Sequence, residues 1–445
     1  MEYSSRSNGI RGIVNDGFHV ELALKVGMIV GTRYHGTIAV GSDTRVSSEM
    51  FRSAVSAGLM ASGSNVVDLG VLPTPAFQYY VRSHAVEGGV MLTASHNPPE
   101  YNGIKIIDSD GLEDPFLRDM GPEDIMDAQT DRVAWADVGE AVEMGDCTEE
   151  YIDAIVSLVD AEAIRSADLK VCVECANGSA FVLVPEVLRR LGVSMITMNG
   201  SARGELTGRD SELTYANLEN LCYLTRQTGC DLGVAFDMDA DRCLFSDADG
   251  NPVPGDKSFA IIVRSVLERR KGKVVAPVST SSAVEDTVDA CGGIMKYSAV
   301  GSPAVVKKVM EYGAILGGEI NGGIVFPELQ YCRDATMCLV KMLECVARNG
   351  PLSEQAAQVP DYHYQNSSVA CTDEQKRLLV DRFRDMTSDM QRDITDGVKL
   401  FFDDGWVLLR PSATEPVFRV YSQSTDADTA AGRLEEYLSE IRRNL

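Results

Sequence analysis

The sequence predicts an α/β protein: three related α/β domains with mixed sheets, completed by a small C-terminal α+β domain. Two patterns and the length lead to this. Short β-rich apolar runs alternate with helical patterns, as in "GTIAVGSDTR", "SSEMFRSAVSAGLMASG" and "NVVDLG" between residues 36 and 70. The same strand–helix–strand unit recurs at "LKVCVECANGSAFVLVPEVLRRLGVSMITMNG" and at "KVVAPVSTSSAVEDTVDACGGIMKYSAVGS". Each copy has a small polar loop after its first strand, the order expected of parallel α/β layers. The 445 residues are about three times the ~150-residue domain prior, too long for one ordinary core. The expected spans are 1–148, 149–249, 250–362 and 363–445. The acidic segment "DSDGLEDPFLRDMGPEDIMDAQ" reads as a linker or surface excursion leaving the first domain. The last span opens with a helical "CTDEQKRLLVDRFRDM" and passes through two strands around "WVLLRPSATEPVFRVYS". It closes in a helix that stacks Leu434, Tyr437, Leu438 and Ile441 at i, i+3, i+4 and i+7.

Charge narrows the function classes. A formal net charge of −25 and a pI near 4.6 disfavour nonspecific binding to nucleic acid or an anionic membrane. A phosphorylated ligand would need a local basic site built against that field. No apolar run approaches the ~18 residues of a membrane span, and "MEYSSRSNGIRG" lacks the apolar core of a signal peptide. A cytoplasmic protein is expected. Eleven scattered cysteines argue for free thiols rather than a disulfide framework. The single CxxC, Cys172 and Cys175, reads as core thiols, because alternate strand positions face opposite ways and no second pair completes a zinc site. Of the five histidines, His19, His35, His84 and His363 read as structural.

Four clusters carry chemistry. In the first, the apolar "EGGVMLTA" runs into "TASHNPPEYNGIK", residues 93–105. Ser and Asn before proline are ordinary turn-makers; a strand that delivers Ser95 as a nucleophile, with Lys105 to handle charge, is the functional alternative. In the second, the strand Leu232 to Phe236 ends in Asp237, Asp239 and Asp241, followed by Arg242. Three crowded carboxylates without His or Cys favour Mg²⁺ over a solvated turn. An EF-hand fails, since its sixth position is Arg242 rather than glycine and its twelfth is Ala248 rather than glutamate. In the third, "LGGEINGGIVFPE", glycines flank Glu319 and Asn321, a carboxylate and an amide suited to sugar hydroxyls; read alone it is a Gly-rich turn. In the fourth, "RPSATEPVFR", Arg410, Ser412, Thr414, Arg419 and loop amides form a cradle for a phosphate dianion, or else a solvated hairpin loop. Together the clusters supply what phosphoryl transfer to and from a sugar requires. Each falls in a different expected domain, so a central cleft shared by four domains accounts for them.

With these motifs in place the chain resembles the α-D-phosphohexomutase superfamily: "NGIRG", "GSDTR", "TASHNPPEYNGIK", "CANGSA", "GVAFDMDADR", "GGEINGG" and "RPSATEP" follow in order from residue 8 to residue 416. The likeness is nearest to archaeal-type members. It implies Ser95 as the phosphoserine, with Mg²⁺ held by Ser95, Asp237, Asp239 and Asp241. It implies Arg11, His96, Lys105 and Arg242 as charge stabilisers or proton handlers around it. The phosphate loop, including Ala413, would hold the nonreacting phosphate, and Glu319 and Asn321 would read the sugar. The implied reaction interconverts hexose or hexosamine 6- and 1-phosphates through a 1,6-bisphosphate, which also serves as activator. Glucosamine 6-phosphate is the first choice of substrate, phosphomannomutase/phosphoglucomutase activity the alternative, and a sugar-phosphate-binding protein without turnover the non-enzymatic reading. Three departures stand out. Met238 and Ala413 occupy positions where glycine is usual, which is harmless if neither needs positive φ. Asn321 and Gly323 replace a serine and a histidine of the common "GE-x-SGH", so the proton role assigned to that histidine does not carry over.

Overall fold

The computed structural model describes residues 3–7, 9–118, 120–145, 147–201, 204, 209–412 and 415–445. They divide into two compact units, one of residues 1–254 and 321–355, the other of residues 255–320 and 356–445. All three predicted strand–helix–strand units form. Thr37–Ser42 pairs in parallel with Asn65–Val71 around the helix Ser48–Ala61. Lys170–Glu174 pairs with Ser194–Met198 around Ala180–Arg190. Lys273–Pro277 pairs with Ile294–Ser298 around Ser282–Ala290. The helix returns each chain to the same edge direction, the only short route to a parallel neighbour.

The first unit holds two mixed sheets. The larger runs Tyr3–Ser7, Gly9–Val14, Tyr101–Asp108, Gly88–Leu92, Thr37–Ser42, Asn65–Val71 and Ala141–Glu143 across its width, with Gly17–Phe18 beside the second strand. Its central strand Gly88–Leu92 is buried along its whole length, which explains an unbroken apolar run rather than an alternating one. Below it Phe18 and Phe51 meet edge to face, centroids 4.6 Å apart, in a core with Val26, Val55, Leu59 and Val90. The second sheet orders Ser194–Met198, Lys170–Glu174, Leu232–Phe236, Cys243–Asp247 and Pro252–Val253. Cys172 and Cys175 are buried and, like the other nine cysteines, free.

The acidic segment after Asp108 is not a linker. Leu117 and Ile125 are buried in the first core, Asp108 Oδ1 accepts the amides of Asp110 and Leu112, and Asp114 caps Phe116. The charges hide two apolar anchors that are too far apart to form a recognisable period.

The second unit contains the parallel strands Ile294–Ser298, Lys273–Pro277 and Leu316–Gly318, and an antiparallel sheet of five strands where two were expected. Its order is His363–Ala370, Val417–Ser424, Gly405–Pro411, Val398–Phe402 and Arg392–Asp393. The polar strand His363–Ala370 is half-exposed throughout, so apolar patterning does not reveal it. The closing helix Ala427–Arg443 buries Leu438 and Ile441, with Leu434 and Tyr437 against the same core, as its spacing predicts.

One lysine breaks the core's rules. Lys399 is 1% exposed, its Nζ has no hydrogen-bond partner among the described residues, and it lies 4.4 Å from the Trp406 ring centroid, 4.5 Å from Tyr297 and 5.3 Å from Phe401. Burial pushes its pKa down to about 7, against the pull of Glu285 and Asp393; the aromatic faces offset part of the desolvation. Because the folded pKa lies below the unfolded one, the unfolded chain binds the extra proton between about pH 7 and pH 10. Stability from this site is therefore lowest below pH 7 and rises through that window. Lys399→Met should raise the melting temperature at pH 6.5 by several degrees, about 1–3 kcal/mol, and the gain should shrink by pH 9.5. Thermal melts of both proteins at the two pH values test this; a variant that melts lower at pH 6.5 contradicts it.

Candidate active site

The strand Gly88–Leu92 ends against a loop whose shape is set from elsewhere in the chain. Asp43 Oδ2 accepts the Thr93 hydroxyl at 2.7 Å, and Thr93 Oγ1 in turn accepts the Ser95 amide at 2.8 Å. Arg45, fully buried and paired with Asp43, donates to four main-chain carbonyls of the loop, those of Ser95, Asn97, Pro98 and Tyr101, at 2.7–2.8 Å. Held this way, Ser95 adopts φ +49°, a left-handed backbone that costs a non-glycine residue ~1–2 kcal/mol. Its Oγ points at Asp237 Oδ2, 3.2 Å away, and at His96 Nδ1, 3.1 Å away.

The acidic loop follows the buried strand Leu232–Phe236. The three carboxylates are buried, and one oxygen from each lies within 4.8 Å of the others. Its support comes from "CANGSA": the Ser179 amide and hydroxyl both donate to the Met238 carbonyl, at 2.8 and 3.0 Å. Gly178 permits this, because a Cβ there would sit 2.6 Å from that same carbonyl oxygen. The loop's positive φ falls at Ala240, +53°, and not at Met238, so Met238 meets the condition set for it. Thr74 fixes Asp239 through its hydroxyl on Oδ2 and its amide on the carbonyl, both 2.9 Å.

Cations surround the triad. Lys105 Nζ lies 2.9 Å from Asp239 Oδ2 and 3.4 Å from Asp241 Oδ2; Arg242 Nε lies 3.1 Å from Asp237 Oδ2; Arg333 donates to Asp241 Oδ2. Arg11, also buried, reaches Asn97 Oδ1 at 2.8 Å. Burial raises the Asp237 carboxyl's pKa, and Asp241 and Asp239 raise it further, ahead of the opposing pull of Arg242. For Asp241, burial also raises it, but Arg333, Lys105 and Arg242 together hold it well below the usual carboxylate range. Burial lowers the Lys105 pKa, but Asp239, Asp241 and Glu113 outweigh it and keep the ammonium charged. The balance is incomplete: among the described residues Asp239 Oδ1 and Asp241 Oδ1 are buried without a hydrogen-bond partner, Asp241 Oδ1 having only Arg242 Nε at 3.9 Å. Bare carboxylate oxygens inside a protein are costly unless a cation meets them. A hard, oxygen-only donor set fits Mg²⁺.

His96 is an acceptor toward the serine. Burial, then Arg242 and Arg11, push its pKa far down, so the imidazole is neutral. Its Nε2 faces Glu212 Oε2 at 3.3 Å, and Glu212 Oε1 takes Arg242 at 3.1 Å. A carboxylate at Nε2 assigns the ring proton there, so Nδ1 is an acceptor that competes with Asp237 Oδ2, to which Ser95 donates, for the single hydroxyl proton.

The structure thus brings together Ser95, Arg11, His96, Lys105, Arg242 and the three aspartates. Asn321 also lies in the first unit, its Oδ1 accepting the Gly323 amide at 3.1 Å, whereas Glu319 belongs to the second. There too lie Arg410, bonded to Asp396 at 2.7 Å, Arg419, paired with Glu415, and Ser412, whose carbonyl takes Lys376 at 2.9 Å. Ala413 and Thr414 lie outside the described residues. Sequence reasoning missed Thr74, Glu212 and Arg333 as site residues. The organising work of Asp43 and Arg45 in "GSDTR" was not foreseen either. "GSDTR", a polar loop at a strand's end, carried a signal; the other three did not.

Comparison with known proteins agrees over nearly the whole chain. Residues 3–121, 149–250 and 254–362 match phosphoglucomutase/phosphomannomutase alpha/beta/alpha domains I, II and III, and residues 368–440 match the C-terminal domain. A "Probable phosphoglucosamine mutase" of Methanopyrus kandleri is 37% identical over 98% of this chain and 97% of its own. A "Phosphoglucomutase/phosphomannomutase" of Thermococcus kodakarensis is 36% identical over 96% of each. Among solved structures, a phosphoglucomutase/phosphomannomutase family protein from Burkholderia thailandensis, 23% identical, superposes with a TM-score of 0.86 over 98% of this chain and 96% of that one.

Proposed function

The chain belongs to the phosphoglucomutase/phosphomannomutase family, and on that footing we propose that it interconverts glucosamine 6-phosphate and glucosamine 1-phosphate. The observation that carries the mutase reading is the Ser95 hydroxyl held between a neutral imidazole acceptor and the aspartate triad. In the forward direction the phosphoryl group on Ser95 passes to the sugar's 1-hydroxyl: the P–O bond to Ser95 breaks, a P–O1 bond forms, the 1-hydroxyl proton passes to the departing Ser95 Oγ, and the 1,6-bisphosphate results. The bisphosphate then turns over in the site. In the return step Ser95 Oγ attacks the 6-phosphate, and the P–O6 bond breaks as the bond to Oγ forms. The Ser95 proton passes to the departing 6-oxygen, which restores the phosphoserine. Lys105, Arg11 and Arg242 offset charge on the equatorial oxygens, where most of the catalysis in phosphoryl transfer resides.

Asp237, Asp239, Asp241 and Ser95 would hold Mg²⁺, which when bound supplies positive charge at the transferring group. The loop from Arg410 to Arg419 would anchor the nonreacting phosphate, and Glu319 and Asn321 would read the sugar. A hexose 1,6-bisphosphate would load Ser95 in a resting enzyme. Free cysteines throughout support a reducing, cytoplasmic setting, and no helix among the described residues is long and apolar enough to cross a membrane.

A glucose or mannose phosphate is the second reading, favoured by the name of the Thermococcus relative. Assays of the purified protein with Mg²⁺, glucose 1,6-bisphosphate and each of glucosamine, mannose and glucose 6-phosphates decide between them. The highest kcat/KM is expected for the amino sugar. A preference for mannose or glucose would reassign the substrate, and no turnover of any of the three would sink the mutase reading.

A further inference from the structure

Gly323 lacks a side chain, and Arg333 runs through the space one would fill. A Cβ built on Gly323 would sit 2.4 Å from Arg333 Cδ and 3.2 Å from its Cγ. These are mid-chain atoms, so even a methyl group at 323 would have to displace the whole side chain rather than its tip. The backbone leaves little slack for that. Arg333 bridges Val325 in antiparallel fashion, the neighbouring Asp334 amide donates to Ile324 at 2.9 Å, and the Gly322 carbonyl accepts the Cys243 amide at 3.2 Å. The turn at 321–323 is thereby tied to the strand that follows the acidic loop, and the segment at 333 to Ile324 and Val325 just beyond the turn.

The other end of Arg333 lies on that loop. Its guanidinium donates to Asp241 Oδ2 with its side chain 11% exposed. That leaves Asp241 Oδ1 without a hydrogen-bond partner among the described residues, with Arg242 Nε 3.9 Å away. A charged bond to a buried carboxylate fixes its rotamer as well as its charge. An arginine cannot give up its proton at working pH, so whatever this position contributes is charge and orientation, not proton transfer.

We propose that Arg333 is a positioning residue of the phosphoryl-transfer site, orienting Asp241, and that the empty side-chain position at Gly323 exists to let it through. The inference rests on the mutase reading. It makes residues 323 and 333 a coupled pair: bulk at 323 acts by pushing Arg333 off Asp241.

The test is a double-mutant cycle of Gly323→Ala and Arg333→Ala, read in kcat, KM and melting temperature with Mg²⁺ and glucosamine 6-phosphate. Arg333→Ala should lower kcat about 100-fold with KM changed less than about threefold. Arg333→Lys, which keeps the charge without the fork, should recover part of the loss. Gly323→Ala should lower kcat by about tenfold or more in the parent background and by less than about twofold in Arg333→Ala. Its fall in melting temperature should likewise disappear there. Equal penalties for Gly323→Ala in both backgrounds would overturn the shared-space claim. A parent-like kcat in Arg333→Ala would overturn the positioning role. A parent enzyme without turnover would instead sink the mutase reading, and the melting-temperature half of the cycle would still decide the coupling.

Discussion

Ser95→Ala is expected to abolish turnover, by on the order of 10⁴-fold or more, while the fold persists. The hydroxyl is the only part of the residue that the substitution removes. Its two contacts, to Asp237 and His96, are worth about 1 kcal/mol net apiece. Alanine meets the same steric cost as serine at φ +49°, so no new strain enters. The Arg45 bonds to the loop's carbonyls do not involve the side chain. The melting temperature should therefore stay within a few degrees of the parent's. Intact mass and phosphopeptide mapping give an independent reading: the parent treated with glucose 1,6-bisphosphate should carry one phosphate within residues 93–105, and the variant none. A variant that turns over near the parent rate, or that carries phosphate at another residue, would place the nucleophile elsewhere.

The second large effect is expected at Asp239. Its Oδ2 is held by Thr74 and Lys105, while Oδ1 has no hydrogen-bond partner among the described residues. Asparagine would keep the shape and remove the charge that makes the position a ligand for a hard cation. In the parent, millimolar Mg²⁺ should raise the melting temperature by mass action on the folded state. In Asp239→Asn that shift should largely vanish and turnover should fall by about 10²–10³-fold. Metal-free stability is the poorer guide, because losing the Lys105 ion pair and relieving repulsion from Asp237 and Asp241 act in opposite directions. A Mg²⁺-induced shift equal to the parent's would remove Asp239 from the ligand set. Chelation of the parent should reproduce the variant's loss of turnover and be reversed by added Mg²⁺.

Much of the site was legible because strands end where chemistry begins. The apolar runs before Ser95 and before Asp237 could be recognised without partners, and each ended in residues that a core would not accept. The three parallel units were legible for the same reason. What stayed hidden were relations between distant residues. Thr74 meets Asp239 across 165 positions, Arg333 meets Asp241 across 92 and Arg45 meets Ser95 across 50, and no local pattern records such pairings. Lys399 was hidden differently. In "VKLFF" a lysine beside alternating apolar residues reads as the solvent-facing position, yet packing against Tyr297 closed that face too. The strand His363–Ala370 lacked the apolar signal altogether.

The way Arg45 grips the Ser95 loop separates two kinds of inheritance. It binds carbonyl oxygens, which every amino acid possesses, so much of the main-chain path of residues 95–101 is held by one arginine outside the loop, with Thr93 fixing the Ser95 amide. Substitutions at the tip, at Pro99 or Glu100 for instance, can accumulate without disturbing the serine's placement. Side-chain chemistry at the tip is free to vary, while the main-chain geometry is transmitted from a residue outside the loop.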